Sequence, residues 1–106
     1  MLSESRSIMI LLVTIAVIPG PARADPANGQ RLARQWCASC HVVAPDQKQA
    51  SADVPAFASI ARMPGFDRNK VAFFLLDPHP KMPSMSLTRS EASDLADYIA
   101  ALGIAR

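Results

Sequence analysis

Near the carboxy-terminal end of the chain, apolar residues recur at helical spacing. Ala92, Leu95, Ala96, Ile99 and Leu102 fall at i, i+3, i+4, i+7 and i+10, the stripe of an amphipathic helix. Thr88, with Glu91 three residues on, forms a capping box before the stripe, and Gly103 predicts its end. A second stripe, Leu32, Ala33, Trp36 and Cys40, has Gly29 one turn before Ala33. It predicts a helix capped by Asp25, with Pro26 at the first helical position, running to about Ser39. Gly29 costs such a helix about 1 kcal/mol relative to alanine, which points to the close approach of another helix.

Between these stripes the pattern breaks into shorter pieces. Residues 42–55 are polar and read as a loop. A short helix is predicted over 56–62, stopped by Met63-Pro64-Gly65. Another is predicted over 67–76, with Val71, Phe74 and Leu75 on its apolar face and Pro78 beyond its end. Three prolines between Asp77 and Ser86 exclude helix and predict an extended loop. Alternation of β-branched residues is absent, so the expected fold class is all-α.

The remaining apolar block, Ile8 to Ile18, lies between a polar start with Arg6 and the group Pro19, Gly20 and Ala22-Arg23-Ala24. This is the pattern of an export leader, with cleavage expected after Ala24. The block is well short of the ~18–20 apolar residues of a membrane helix, so no stable membrane span is expected in the mature form. The expected organisation is a signal peptide, 1–24, and one small domain, 25–106, placed in the periplasm.

Removing the leader changes what the composition says. Half of the 106 residues are apolar, but among the 82 of the mature chain only 17 are Leu, Ile, Val or Phe. That share lies near the edge below which chains stay disordered, so an internal staple such as a metal or cofactor is expected. The 11 basic and 9 acidic residues form no cluster, which argues against a nucleic-acid partner.

Cys37-Ala38-Ser39-Cys40-His41 is the constellation with a specific chemical reading. C-x-x-C-H is the attachment sequence of c-type haem. Two thiols almost one helical turn apart can bond the two vinyl groups of a haem edge, and the adjacent imidazole then reaches the iron as proximal ligand. Three other readings compete. A thiol oxidoreductase would need alternating strands and helices. A Cys37–Cys40 disulfide closes too short a loop to restrain the unfolded chain. A zinc site built from Cys37, Cys40, His41 and His79 lacks two separated ligand pairs. For the sixth position of the iron the candidates are Met82, held extended by Pro83, then Met85 and His79, with both methionines as core filler the alternative. Met63 reads as packing.

With Gly29 and Trp36, Cys37 to His41, Pro55-Ala56-Phe57, Met82-Pro83 and Leu87 to Ile99 with Tyr98, the mature chain resembles a class I cytochrome c of the small, soluble, bacterial monohaem kind. The resemblance implies four or five short helices around one covalent haem c, with the terminal helices crossing and Gly29 near Tyr98; periodicity alone makes Tyr98 one more helix-face aromatic. It also implies a proline carbonyl that accepts a hydrogen bond from the proximal histidine. Pro55 is the better match and Pro45 the second, although Val54 stands where the family has glycine.

The implied function is one-electron transport between redox partner proteins through a haem iron ligated by His41 and Met82, in a monomer that is a carrier and not an enzyme. The alternative is a haem subunit or ligand-binding module of a larger redox complex. Two propionates would bring the mature chain's formal +1 to about −1, so strong long-range steering is not expected. Lys48, Lys70 and Lys81 read as solvated surface charge, and docking is expected to rest on an apolar rim at the haem edge.

Overall fold

The computed structural model describes residues 9–18, 23–50, 53–77 and 82–104. The expectations placed on Arg6, Pro19, Gly20, Ala22, Pro78, His79 and Lys81 lie outside the described residues. Among the described residues there are four helices, α1 (Pro26–Trp36), α2 (Phe57–Ala61), α3 (Arg68–Leu76) and α4 (Arg89–Ile104), and no strand. The all-α expectation holds.

Local chemistry sets the starts of these helices. The Asp25 carboxylate accepts from the Ala27 and Asn28 amides at 3.0 and 3.3 Å, which satisfies two orphan donors of α1. Asp67 does the same for α3 through Asn69 and Lys70, at 2.8 and 3.2 Å. At α4 the capping box closes in both directions: the Glu91 amide donates to Thr88 Oγ1, and the Thr88 amide donates to Glu91 Oε1, each at 3.0 Å.

The expected end of the first helix is corrected. It stops at Trp36 instead of about Ser39, because the Ala38 amide reaches back five residues to the Ala33 carbonyl at 3.1 Å and winds the helix off its 3.6-residue period. Cys40 therefore leaves the buried stripe. Gly29, Leu32, Ala33 and Cys37 are buried, whereas Cys40 is exposed and Trp36 is 37% exposed. The second correction concerns Gly103, which lies inside α4 and does not end it. A methyl group there would come within 2.9 Å of Ala61 Cβ, so this glycine lets α2 approach α4.

At Gly29 the terminal helices come closer still. A Cβ at this position would lie 2.0 Å from the Asp94 carbonyl oxygen and 2.7 Å from Tyr98 Cβ. The helix cost of a glycine is thus the condition for the α1–α4 crossing, and Gly29 does sit against Tyr98. All of α1, α2 and α3 pack on α4, and none of the three packs on another. The buried cluster follows that plan: Leu32 of α1, Phe57 of α2 and Leu75 of α3 join Leu95 and Ile99 of α4, with Val43 and Met85 from the loops. Of the apolar face expected for α3, Leu75 is buried, Val71 half-buried and Phe74 42% exposed.

The apolar stretch 9–18 takes no part in this core. It has no helix or strand and its side chains are exposed, Leu12 at 87%. No helix among the described residues is long and apolar enough to cross a membrane.

Candidate functional site

The tight turns after α1 place the C-x-x-C-H residues. Amides of Cys40 and His41 both donate to the Cys37 carbonyl, at 3.1 and 2.8 Å. Both thiols are free, with Cys37 buried and Cys40 exposed. Burial, reinforced by the neighbouring Cys40, pushes the Cys37 thiol up to about 11. A buried thiol held protonated in this way is a poor attacking group for dithiol exchange. Among the described residues no three His, Cys, Asp or Glu side chains converge as a metal-binding group.

His41 is held from two sides. Its Nδ1 lies 2.6 Å from the Pro55 carbonyl oxygen, and its ring packs on buried Phe57, with centroids 5.1 Å apart and planes tilted by 46°. Pro55, not Pro45, is the partner. Nδ1 donates to that carbonyl, which fixes the tautomer and leaves Nε2 as the lone-pair nitrogen available to a metal. Nothing about Val54 obstructs this bond, since its side chain is 40% exposed. The Pro55 carbonyl is set in place by the next turn of chain, where the Phe57 amide donates to the Val42 carbonyl at 3.0 Å.

Two residues hold the loop after His41 through bonds that the sequence pattern does not announce. Gln47 accepts from the Val43 amide through Oε1 at 2.9 Å, while its Nε2 donates to the Ala38 and His41 carbonyls, each at 2.9 Å. One uncharged side chain thereby satisfies both sides of the turn. Tyr98, buried at the helix crossing, donates its hydroxyl to the Val43 carbonyl at 2.5 Å and ties α4 to the same loop. Helical spacing gave Tyr98 a face but no partner. On the outer side, Arg34 pairs with Asp46 at 3.1 Å and holds that carboxyl below its usual range. Both groups are largely solvated, so the pair adds little stability.

Of the sixth-ligand candidates, Met85 is buried in the core cluster, and Met82 is half-buried and packed against it. His79 lies outside the described residues.

These features fit an iron porphyrin. Two unpaired thiols precede an imidazole with one nitrogen committed and the other free, Trp36 and Phe74 remain 37% and 42% exposed, and α1, α2 and α3 do not fill the space between them with one another. No protein-family model matches the chain, and no solved structure matches it. Over 97 residues, 92% of this chain and 93% of the relative, it is 56% identical to the cytochrome c-552 of Bradyrhizobium diazoefficiens. A relative of that identity, matched over nearly the whole of both chains, shows the family: the chain belongs to the class I c-type cytochromes.

Proposed function

We propose that this protein is an exported one-electron carrier of the periplasm. Cys37 and Cys40 hold a single haem c through thioether bonds, and His41 and Met82 are its axial ligands. The observation that carries this reading is the 2.6 Å bond from His41 Nδ1 to the Pro55 carbonyl, beside two free thiols. Bound there, haem supplies an iron that gains and loses one electron without taking a substrate.

The chain's own residues explain the rest. Pro55 fixes the His41 tautomer and raises the basicity of Nε2, and Phe57 limits rotation of the ring, so little rearrangement accompanies a change of iron charge. Met85 is buried in the core cluster, whereas Met82 only packs against its edge, which supports Met82 as the ligand. Residues 1–24 act as a leader cut after Ala24, a reading supported by the exposed, unstructured apolar stretch 9–18. The redox partners are proteins that dock weakly and transiently.

Absorption spectra and intact mass of the exported protein test this reading. The expected results are one covalently bound haem, a low-spin spectrum in both oxidation states and the weak far-red band of methionine–ferric coordination. A high-spin ferric spectrum that shifts on adding small ligands would instead favour a ligand-binding module, and a mass without haem would end the reading altogether.

A further inference from the structure

Asp94 is the buried charged side chain of the core, 6% exposed. Its Oδ2 accepts from the Asn28 side-chain amide at 2.8 Å, and its Oδ1 from the backbone nitrogen of Asp25 at 2.7 Å. Both donors are neutral in the uncut chain. Among the described residues the ion pairs are Arg34–Asp46 and Arg68–Asp97, and neither includes Asp94. A carboxylate this deep, served only by neutral donors, carries a desolvation cost that a cation would offset. The nitrogen 2.7 Å away belongs to the residue that becomes the first of the mature chain.

We propose that removal of the leader creates that cation: the new α-ammonium of Asp25 pairs with the buried Asp94 carboxylate and locks α1 onto α4. This inference rests on the cleavage point after Ala24 proposed above. Water adds across the Ala24–Asp25 amide under an export peptidase, and the C–N bond breaks. The water oxygen goes to the Ala24 carbonyl carbon, which departs with the leader as a carboxylate. Both water protons go to the Asp25 nitrogen, giving the ammonium. No rearrangement is needed, because the nitrogen already stands at hydrogen-bond distance and the Asp25 side chain already caps the helix. The bond, charge-assisted through the carboxylate alone in the uncut chain, becomes charge-assisted on both sides.

The lock is built at the crossing that Gly29 permits, since the Asp94 carbonyl is also the atom nearest to a Cβ at Gly29. The cleft that Asp94 lines also holds Arg68 from α3 and Arg89 and Asp97 from α4, while Arg23 departs with the leader; the Asp25 carboxylate, the cap of α1, lies on the same residue as the nitrogen. In the alkaline range carboxylates are already ionised and guanidiniums stay protonated, so the ammonium is the member of this group that changes charge. Pairing raises its pKa above the ordinary ~7.7–8.0. A group so raised contributes stability that is complete below the ordinary value and is lost as pH rises through the raised one. The contribution is therefore complete at pH 6 and declines on the alkaline side of the ordinary α-amino range.

The test compares two exported holoproteins that differ in the terminus alone. One is cut at the natural position, and the other carries Gly-Ser-Ala ahead of Asp25, which moves the ammonium about 10 Å outward and restores a neutral amide at residue 25. Intact mass establishes each terminus, and denaturant titration at pH 6 and pH 10 measures stability. The extension is expected to raise the unfolding equilibrium constant about fivefold to tenfold at pH 6. It should make less than a twofold difference at pH 10, or at either pH when both proteins carry Asp94→Asn. A natural terminus other than Asp25 overturns the cleavage point and the lock together. With Asp25 found as the terminus, an effect under threefold at pH 6, or an equal one at pH 10, overturns the lock and leaves the cleavage point standing. Should Asp94→Asn not fold, the contrast between the two pH values decides alone.

Discussion

The Tyr98 hydroxyl and the Val43 carbonyl meet inside the core, so neither can exchange the other for water. Tyr98→Phe leaves that carbonyl buried without its donor and is expected to cost about 1–3 kcal/mol in chemical denaturation. Burial also pushes the Tyr98 phenol above its ordinary value of 10.0. The folded protein thus prefers the protonated phenol, its contribution is complete below about pH 10, and it fades as pH rises through the raised value. Tyr98→Phe should accordingly flatten the alkaline limb of the stability profile. The two methionines separate by the same kind of reasoning. Met85→Ala empties a core position and is expected to cost about 2–5 kcal/mol while leaving the ferric spectrum in place. Met82→Ala is expected to abolish the methionine–ferric band, and an unchanged spectrum would remove Met82 as ligand.

At the scale of the element, glycine sets how closely α4 is approached, and the two glycines should not respond alike. A Cβ at Gly29 would strike main-chain atoms of α4 at 2.0 and 2.6 Å, which cannot move without moving the helix. Gly29→Ala gains about 1 kcal/mol of helix propensity and loses more by overpacking, typically ~1–3 kcal/mol and here beyond that range because the obstacle is backbone. At Gly103 the nearest atom is the Ala61 side chain at 2.9 Å, so a small shift of α2 relieves the contact and Gly103→Ala should cost less than Gly29→Ala. Parallel denaturant titrations of the two variants check the order. The element starts were legible in the sequence because a cap is a short-range device: Asp25, Asp67 and Thr88 with Glu91 bond amides two or three residues away. Of what depended on another element, the close approach at Gly29 was legible and much of the rest was not. Gly103 read as a stop because α2 was out of view, and Cys40 was placed on a buried stripe because the Ala38-to-Ala33 bond that winds the helix off phase leaves no mark in the pattern. Gln47 and Asp94 escaped for the same reason, each being polar in sequence and structural only through distant partners.

Over the whole molecule, three helices lean on one and not on each other. In an ordinary helical bundle neighbouring helices bury apolar stripes mutually around a shared core. Here α4 offers a face to each of α1, α2 and α3, while Trp36, Phe74 and Leu76 remain 37–42% exposed. Such an arrangement, with 17 large aliphatic or phenylalanine side chains among the 82 residues from Asp25 onward, lacks apolar area to offset the entropy of ordering. In the proposed reading, covalent haem would fill the shortfall twice, as apolar surface and as a tether that would join the α1 end to the methionine loop. Replacing Cys37 and Cys40 together by Ala removes only the tether from the sequence, yet the expected result is loss of the fold, since nothing then retains the group against which the helices would close. The variant should show no cooperative unfolding transition, a weak near-ultraviolet circular dichroism signal and unprotected amides even in the middle of α4, around Leu95 to Ile99. A cooperative transition with protected α4 amides in the haem-free variant would mean that the contacts on α4 suffice by themselves, and that the lack of packing among the other three helices is a consequence of the fold and not the mark of a missing core.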